Sequence, residues 1–341
     1  MDATLDLTAI AAAARLLEQG KLVALPTETV YGLGADAENP AAVARIYAAK
    51  GRPQDHPVIV HLAPGADLAH WAADIPEQAH QLAAAFWPGP LTMILKRAAN
   101  IPDAVSGGQD TVGLRCPSHP VAIALLQEFK AGKGGIAAPS ANKFGNVSPT
   151  TAQHVIDEFG ADASIDAVLD GGQSAVGIES TIVDLSRLRS HGPVLLRPGH
   201  ISAEAIAAVI DMLPAAPDAQ APRASGTLES HYAPHTPVAM QDTATLTATL
   251  AKLAEAGRSV ALIHYSKFGP VLASVRLPAT PEGFAHALYA ALRAMDHTGA
   301  DLILVEAPPQ GGEWMGVNDR LRRAAHGSSG IVHGLLNNSA F

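Results

Sequence analysis

Basic side chains concentrate in one short stretch of this acidic chain. Lys50 and Arg52 stand two positions apart, and His56 and His61 follow them. Since the formal net charge is -9, such a cluster needs a physical reason. Arg offers phosphate or carboxylate a planar fork of donors, and Lys offers a point charge. The stretch therefore predicts a site for an anionic small molecule; the alternative is a basic helix end that Gly51 caps and the helix dipole favours.

A second polar stretch, residues 26–34 (PTETVYGLG), follows an apolar strand predicted at 21–25. We predict a glycine-containing turn here, whose hydroxyls and carboxylate enter a ligand pocket, because strand ends in α/β folds face the crevice. The alternative is a loop that caps its own backbone. The two glycines superficially match a dinucleotide-binding fingerprint. We reject that match, because they lie far from both the strand end at Leu25 and the helix start near Pro40.

Polar residues at the ends or turns of other predicted elements extend this pattern. They are Arg115, Ser140, Asn142, Ser148, Ser180 and Arg197. Ser148 stands in a predicted helix N-cap, where free backbone N–H groups can receive an anion. Ser and Asn at turns are also common structural residues. Together with the basic stretch, these positions indicate one shared anionic crevice.

Motifs for covalent or metal catalysis are missing from the sequence. There is no Gly-x-Ser-x-Gly elbow, and Cys116, the only cysteine, lies in no local activation pattern. His231 and His235 have a metal-like spacing, but Pro234 excludes the helix that this spacing needs. An enzyme of this kind would act through positioning and electrostatics, as in phosphoryl or nucleotidyl transfer.

Composition limits the class of protein. With 341 residues, of which 48% are hydrophobic, the chain can form about two domains. No uninterrupted apolar run is long enough for a membrane span, and the acidic N-terminus lacks the basic start of a secretory signal. A single cysteine suits a reducing compartment, so we expect a cytoplasmic protein. The acidic balance argues against a broad nucleic-acid-binding face.

The elements that must hold these residues alternate between helix and strand. We predict helices at 11–19, 40–50, 120–130, 151–159 and 203–212, and strands at 21–25, 57–62, 91–96, 111–115, 136–138, 181–185 and 194–197. In strand 57–62, Val58, Val60 and Leu62 share one face, and Ile59 and His61 share the other.

A proline-rich segment then interrupts the pattern. Residues 213–237 contain five prolines, which neither a helix nor a central strand tolerates, so we predict an extended linker. After it we predict helices at 244–256, 283–297 and 316–325 and strands at 259–263 and 302–306. This alternation implies a small, mostly parallel α/β domain. The predicted division of the chain is 1–212, 213–237 and 238–341.

Five ordered motifs resemble those of the YrdC-type threonylcarbamoyl-AMP synthases. They are PTETVYGLG at 26–34, KGRP at 50–53, PSAN at 139–142, STIVD at 180–184 and RPG at 197–199. The resemblance covers roughly residues 8–212, and SHYAP at 230–234 with the domain that follows resembles the longer, two-domain form. It implies an α/β fold: a YrdC-like twisted mixed sheet with helices around a concave cavity, then a small Rossmann-like α/β domain.

The resemblance also implies a reaction. L-Threonine, bicarbonate or CO2, and ATP would give L-threonylcarbamoyl-adenylate and pyrophosphate. A partner transferase would then move the threonylcarbamoyl group onto the adenosine beside the anticodon of certain tRNAs. Mg²⁺ would bind mainly through ATP phosphates and water, since no carboxylate cluster is visible. We expect no stable direct tRNA binding and no membrane association.

Carried over by position, the resemblance implies two ligand sets. The ATP set is Lys50, Arg52, His56, Ser140, Asn142, Ser148, Arg197 and His231, in which Lys50 and Arg52 are catalytic. The threonine set is Thr29, His61, Arg115 and Ser180, with Arg115 on the threonine carboxylate. His56 and His61 are candidates for a general base because imidazole titrates near neutrality.

The proline-rich segment departs from the family pattern. It reads ASGT at 224–227, where the family often has Ser-Pro-Gly-Met. We hypothesise that residues 225–232 form a lid that shields the carbamate and the adenylate from water. An RNA-binding or ribosome-maturation factor of the same fold is the alternative function, which the charge and the 4% aromatic content disfavour. A carbamoyl-adenylate domain of hydrogenase-maturation type would predict zinc-finger cysteines, and none are present.

Overall fold

The computed structural model describes residues 5–160, 164–268, 271–328 and 330–337. Contacts divide the chain into two compact units. The first unit comprises Met1–Phe144 with Ser148–Thr227, and the second comprises Gly145–Val147 with Leu228–Phe341. The first unit therefore takes in residues 213–227 of the proline-rich segment.

Among its described residues, the first unit contains nine α-helices, one short 3₁₀ helix (Phe129–Gly132) and ten strands. The helices are α1 (Leu7–Glu18), α2 (Pro40–Lys50), α3 (Leu68–Trp71), α4 (Glu77–Phe86), α5 (Asp103–Ser106), α6 (Pro120–Glu128), α7 (Ala152–Phe159), α8 (Leu188–His191) and α9 (Ala203–Ile210). The strands are β1 (Val23–Leu25), β2 (Gly32–Asp36), β3 (Ile59–Leu62), β4 (Ala72–Ala73), β5 (Leu91–Arg97), β6 (Thr111–Arg115), β7 (Gly135–Ala137), β8 (Ala167–Val168), β9 (Thr181–Asp184) and β10 (Val194–Arg197).

These strands form one mixed sheet, as the fold class predicts. Their order is β10-β9-β5-β6-β3-β7-β2-β1-β8, and β4 pairs with β5 outside this row. The pairs β3–β6, β5–β9 and β1–β8 are parallel, and the other neighbours are antiparallel. The register sets His61 beside Arg115, so two of the predicted site residues are direct neighbours on adjacent strands.

The two faces of this sheet carry different cores. Val60 belongs to the large core formed with the helices, whereas Ile59 belongs to a separate cluster with aliphatic residues of the neighbouring strands. The alternation predicted for strand 57–62 is confirmed. Ala221 and Ala224 of the proline-rich segment pack against the cluster of Ile59. This segment therefore covers part of the face on which His61 also lies.

The helix that leads to the basic stretch has the ends that the sequence predicts. Its N-cap is Asn39, whose side chain accepts hydrogen bonds from two backbone N–H groups, and Pro40 occupies its first turn. It ends at Lys50 because Gly51 adopts a left-handed conformation with φ 63°. Lys50 and Arg52 consequently flank a fixed helix end.

The strand β2 corrects the prediction of a turn at 26–34. The structure places Gly32–Asp36 in a strand that pairs antiparallel with β1 and with β7, and only the residues before Gly32 form the turn. A side chain at Gly34 would lie 2.9 Å from atoms of both Leu25 and Ile136. The glycine that indicated a turn is thus required by close packing within the sheet.

Several short elements have no counterpart among the predictions. They are α3, β4, α5, β8 and α8, none longer than four residues, and too short for a periodic signal. The helix α4 is also missed, although Pro76 directly before it is a recognisable start.

The second unit forms a four-stranded parallel sheet. Its described elements are β11 (Val238–Gln241), α10 (Thr243–Glu255), β12 (Val260–His264), β13 (Ala273–Arg276), α11 (Pro281–Asp296), β14 (Leu302–Glu306), α12 (Met315–Ala325) and α13 (Ile331–Leu336). The strand order is β11-β14-β12-β13, and every pair is parallel. The predicted small parallel α/β domain is confirmed, while β11, β13 and α13 are additions. Residues 213–237, all described, contain no named helix or strand, which agrees with the proline content.

Candidate functional site

Lys50 connects two of the motifs that carry the family resemblance, KGRP at 50–53 and PSAN at 139–142. Its ammonium group donates to the backbone oxygen of Ser140 at 2.6 Å and to that of Asn142. The side chain is only 2% exposed. Burial, and next the charge of Arg52, hold the pKa of Lys50 well below its ordinary value. Lys50 therefore fixes the turn that carries Ser140 and Asn142 against the end of α2.

Arg52 and His56 both lie close to the aromatic ring of Phe144. The guanidinium carbon of Arg52 is 6.0 Å from the centre of the Phe144 ring, and the His56 ring meets the same ring edge-on at 5.5 Å. Arg52 also donates to the backbone oxygen of Pro57 at 2.8 Å. Burial and the charge of Arg52 lower the pKa of His56, so its imidazole is neutral at pH 7.

Arg197 and Ser180, which the resemblance assigns to different ligands, are in direct contact. Nε and Nη2 of Arg197 donate to the Ser180 backbone oxygen at 3.0 and 2.9 Å, and Nη2 also donates to Ser180 Oγ at 3.1 Å. Ser180 Oγ lies 2.8 Å from Thr92 Oγ1. Gly199 permits this approach, because a side chain there would lie 2.5 Å from the Thr181 nitrogen. The predicted ATP and threonine sets therefore adjoin at Arg197.

The proline-rich segment contacts both arginines of the predicted ATP set within the first unit. Nη1 of Arg197 donates to the Ser225 backbone oxygen at 2.8 Å, and Nη2 of Arg52 lies 3.5 Å from Ser225 Oγ. The start of the hypothesised lid thus lies against Arg52 and Arg197. Residues 228–232, the remainder of that lid, belong to the second unit.

Arg115 forms a buried ion pair with Glu28. Its Nη2 lies 2.7 Å from Glu28 Oε1, and its Nε donates to the Gly89 backbone oxygen at 3.3 Å. Burial and the charge of Arg115 lower the pKa of the neighbouring His61 to about 3. His61 is therefore neutral over the physiological range. Because its imidazolium form is so strongly disfavoured, His61 is a weak candidate for a general base.

Thr29 occupies a turn that its neighbour builds. The Thr27 hydroxyl donates to the Val30 backbone oxygen at 2.6 Å and accepts from the backbone N–H groups of Thr29 and Val30 at 3.2 Å. Thr29 Oγ1 lies 2.9 Å from Thr27 Oγ1. The side chain of Thr29 is 1% exposed, and the turn fixes its direction.

Ser148 is paired with a second buried carboxylate. Its Oγ donates to Glu179 Oε1 at 2.6 Å, and the residue is fully buried. Since Glu179 directly precedes Ser180, this bond ties Ser148 to the turn that Arg197 contacts. Ser148 does not cap α7; Thr151 is the N-cap of that helix.

His231 belongs to the second unit. Its backbone N–H donates to the Arg323 oxygen at 3.4 Å, and its ring meets that of Tyr232 edge-on at 4.2 Å. Its predicted role at ATP stays a prediction.

The sequence analysis assigned no individual role to two buried carboxylates: Glu28, the carboxylate that it placed in the pocket of residues 26–34, and Glu179, which it did not single out. Both are 6% exposed, and each contacts a residue of the predicted site. Glu28 lies inside the motif at 26–34, and Glu179 directly precedes the motif at 180–184. This proximity to the motifs was the sequence signal that could have identified them. What the sequence lacks is the pairing, because the Glu28 contact with Arg115 crosses the sheet.

Cys116 follows Arg115 at the end of β6. It is 3% exposed, and burial together with the charge of Glu28 raises its pKa to about 11. The thiol is thus a poor nucleophile at neutral pH, in agreement with the lack of an activation pattern.

The described residues form neither a metal-binding cluster nor a membrane-spanning helix. No group of three or more His, Cys, Asp or Glu side chains in this part of the chain could hold a metal ion. No helix in it is long and apolar enough to cross a bilayer.

Buried arginines, hydroxyls and carboxylates lie in contact at the strand ends and turns of a mixed sheet, in a protein of the α/β class. Residues 15–199 match the Sua5/YciO/YrdC family model, described as "Telomere recombination", and residues 201–326 match a model described as "Threonylcarbamoyl-AMP synthase, C-terminal domain". The chain therefore belongs to the Sua5/YciO/YrdC family in its two-domain form, as the motifs predicted.

Individual relatives agree over almost the whole length. Threonylcarbamoyl-AMP synthase of Pyrococcus abyssi is 40% identical over 92% of this chain and 93% of the relative. The protein of the same name from Bacillus subtilis is 39% identical over 93% of each. Among solved structures, that of P. abyssi Sua5 complexed with L-threonine superposes with a TM-score of 0.87 at 39% identity, over 95% of this chain and 96% of that chain.

Proposed function

We propose that the protein is an L-threonylcarbamoyladenylate synthase of nucleotidyltransferase type. It would form threonylcarbamoyl-AMP and pyrophosphate from L-threonine, bicarbonate or CO2, and ATP. The observation that carries this proposal is the full-length match to a relative solved with L-threonine, at 39% identity. The junction of the Lys50 and Ser140–Asn142 motifs supports it, because the two signature pairs of the family meet at one point.

The chemistry suits a site built from cations and hydroxyls. The threonine amine adds to CO2 and releases a proton, which gives a carbamate. A carbamate oxygen then attacks the α-phosphorus, a new O–P bond forms, and the bond to the β-phosphate breaks with release of pyrophosphate. Arg52 and Arg197 would neutralise charge on the phosphates, and Lys50 would hold the turn of Ser140 and Asn142 on the nucleotide side.

The threonine side of the site would be formed by Thr29, His61, Arg115 and Ser180. Arg115 would bind the carboxylate, and the contact of Arg197 with Ser180 would bring the carbamate near the phosphates. ATP would enter as its magnesium complex, with the ion held mainly by phosphates and water. The product would pass to a threonylcarbamoyl transferase that acts on tRNA in the cytoplasm.

The direct test is pyrophosphate release from ATP with bicarbonate, with and without L-threonine, and with L-serine as the control amino acid. We expect threonine-dependent release that Lys50→Ala and Arg52→Ala abolish. Arg322→Ala is the matched control, since this arginine is exposed and its one ion pair within the described part of the chain is with Asp319 of its own helix. Folded protein that binds RNA in a salt-sensitive manner but releases no pyrophosphate would instead favour the RNA-binding alternative.

A further inference from the structure

Glu28 carries a buried acceptor atom that the residues around it do not satisfy. Its Oε2 accepts from the Ser118 backbone N–H at 3.0 Å. Its Oε1 is buried, faces Arg115 at 2.7 Å, and has no aligned hydrogen bond from any described residue. Buried polar atoms without a hydrogen bond are rare in folded proteins, and each calls for an explanation, such as strain, a catalytic role or a bound water or ion.

The Glu28 carboxylate is fixed in place from several sides. The Thr27 hydroxyl builds the turn around it, and the Glu28 backbone oxygen accepts from the Val176 N–H at 2.6 Å. With Oε2 held by Ser118, the second oxygen has little freedom to rotate away. Oε1 is therefore presented at one point, beside the guanidinium of Arg115 and one residue from Thr29.

Charge balance indicates which ligand these atoms fit. Glu28 and Arg115 together have no net charge, and both are more than nine-tenths buried. A ligand with one net negative charge would gain Arg115 but would meet the carboxylate of Glu28 at close range. A zwitterion pairs a carboxylate with the guanidinium and an ammonium with the carboxylate, so neither buried charge is left uncompensated.

We propose that Glu28 accepts a hydrogen bond from the α-ammonium group of the substrate, so that Glu28 and Arg115 together recognise an amino acid as a zwitterion. This inference rests on the proposed function, in which L-threonine is a substrate and Arg115 binds its carboxylate. Glu28 is then a residue that determines specificity at the threonine side of the site.

The test compares two ligands by isothermal titration calorimetry. One is L-threonine, and the other is its α-hydroxy acid analogue, in which a hydroxyl replaces the ammonium. We expect the wild type to prefer threonine and Glu28→Gln to reduce that preference about tenfold or more, because the variant keeps an acceptor oxygen but loses the negative charge that pairs with the ammonium, which only threonine carries. Glu28→Asp keeps the charge at a greater distance, so it should retain part of the preference.

Asp36→Asn is the matched control. Asp36 is also 6% exposed and ion-paired, at 2.8 Å from Lys130, and no side-chain hydrogen bond or ion pair among the described residues joins it to a predicted site residue. The preference of the Asp36→Asn variant for threonine should therefore equal that of the wild type. Equal weakening of both ligands by Glu28→Gln would overturn the inference, because Glu28 would then act only on the fold or on Arg115. Should that variant fail to fold, a wild type that binds both ligands equally would overturn it as well.

The proposed function can fail separately from this inference. A folded wild type that neither binds threonine nor releases pyrophosphate would overturn the proposed function and with it the role of Glu28. A wild type that does both, combined with a Glu28→Gln variant that keeps the full preference for threonine, would overturn the role of Glu28 alone.

Discussion

The two sheets of this chain use buried strand positions in opposite ways. In the first unit, buried polar side chains occur at the starts and in the interiors of strands as well as at their ends, among them Thr111, Thr92, His61 and Arg197. In the second unit, the central strands are apolar from Val260 to Ile263 and from Leu302 to Val305, and polar residues begin only at their carboxyl ends. Because burying polar groups is costly unless they are paired, the first sheet needs partners for its buried polar side chains, whereas the central strands of the second pack through apolar side chains.

The comparison can be tested first at its most polar point. Arg197→Ala removes three hydrogen bonds to Ser180 and one to Ser225. We expect threonine-dependent pyrophosphate release to fall about a hundredfold to a thousandfold, as for other groups that stabilise developing charge. Arg322→Ala in the second unit is the control. A similar fall in pyrophosphate release in both variants would contradict the proposed difference between the two units.

The apolar strands of the second unit supply the converse prediction. Leu304→Ala opens a cavity in a fully buried position and should lower the free energy of unfolding by about 2–5 kcal/mol, measured by denaturant titration. Leu114→Ala in β6, also fully buried, should cost a similar amount. Only the Leu114 variant should change the KM for threonine, because this residue precedes Arg115. A changed KM in the Leu304 variant would contradict the division of roles.

The polar strands should also make stability depend on pH. The pKa of His61 is about 3 in the folded state, against an ordinary value of 6.5, so between these values the unfolded state binds the proton and the folded state does not. Stability is lost as the pH falls through this window, with a contribution from His61 of at most about 1.4 kcal/mol per pH unit.

His61→Gln removes that contribution. Chemical denaturation at pH 7, 6, 5 and 4 should show the wild type losing its stability advantage over the variant as the pH falls. His264→Gln, at the end of β12 in the second unit, is the comparison. A difference between wild type and His61→Gln that stays constant with pH would show that the buried imidazole does not titrate in this way.

The smallest effect is expected at Ser225. Its backbone oxygen makes the 2.8 Å contact with Arg197, whereas its hydroxyl lies 3.5 Å from Arg52, at the limit of a hydrogen bond. Ser225→Ala should therefore change the rate of pyrophosphate release less than about twofold. A large loss would indicate that the hydroxyl contacts the ligand and would extend the polar site into the proline-rich segment.

The sequence predicts the main helices and strands of the first unit better than the conformation of the glycine-containing segment at 26–34. Helix 40–50 and strands 111–115 and 194–197 coincide with the observed elements, because caps and period-2 patterns are local signals. The turn predicted at 26–34 fails for residues 32–34, since Gly34 is required by contacts with Leu25 and Ile136 that are distant in sequence.

For the site residues, too, local patterns could be predicted from the sequence, whereas contacts between distant residues could not. Strand ends and turns identified Arg115, Ser180 and Arg197 as polar positions, and the structure brings Arg197 onto Ser180. No local pattern could pair Glu28 with Arg115, because that contact depends on how the turn after β1 meets the end of β6. The partner of a buried charge is a tertiary property, so it becomes visible only in the fold.

The buried thiol of Cys116 provides a chemical probe of local opening at the end of β6. As the sequence has no other cysteine, any alkylation of the unmodified chain reports on this one position, next to Arg115. A thiol that is 3% exposed can react only when the strand end opens, so the alkylation rate counts those openings. Alkylation of the wild-type chain therefore measures how often this part of the sheet opens. Ligands that hold the strand end closed should lower the alkylation rate.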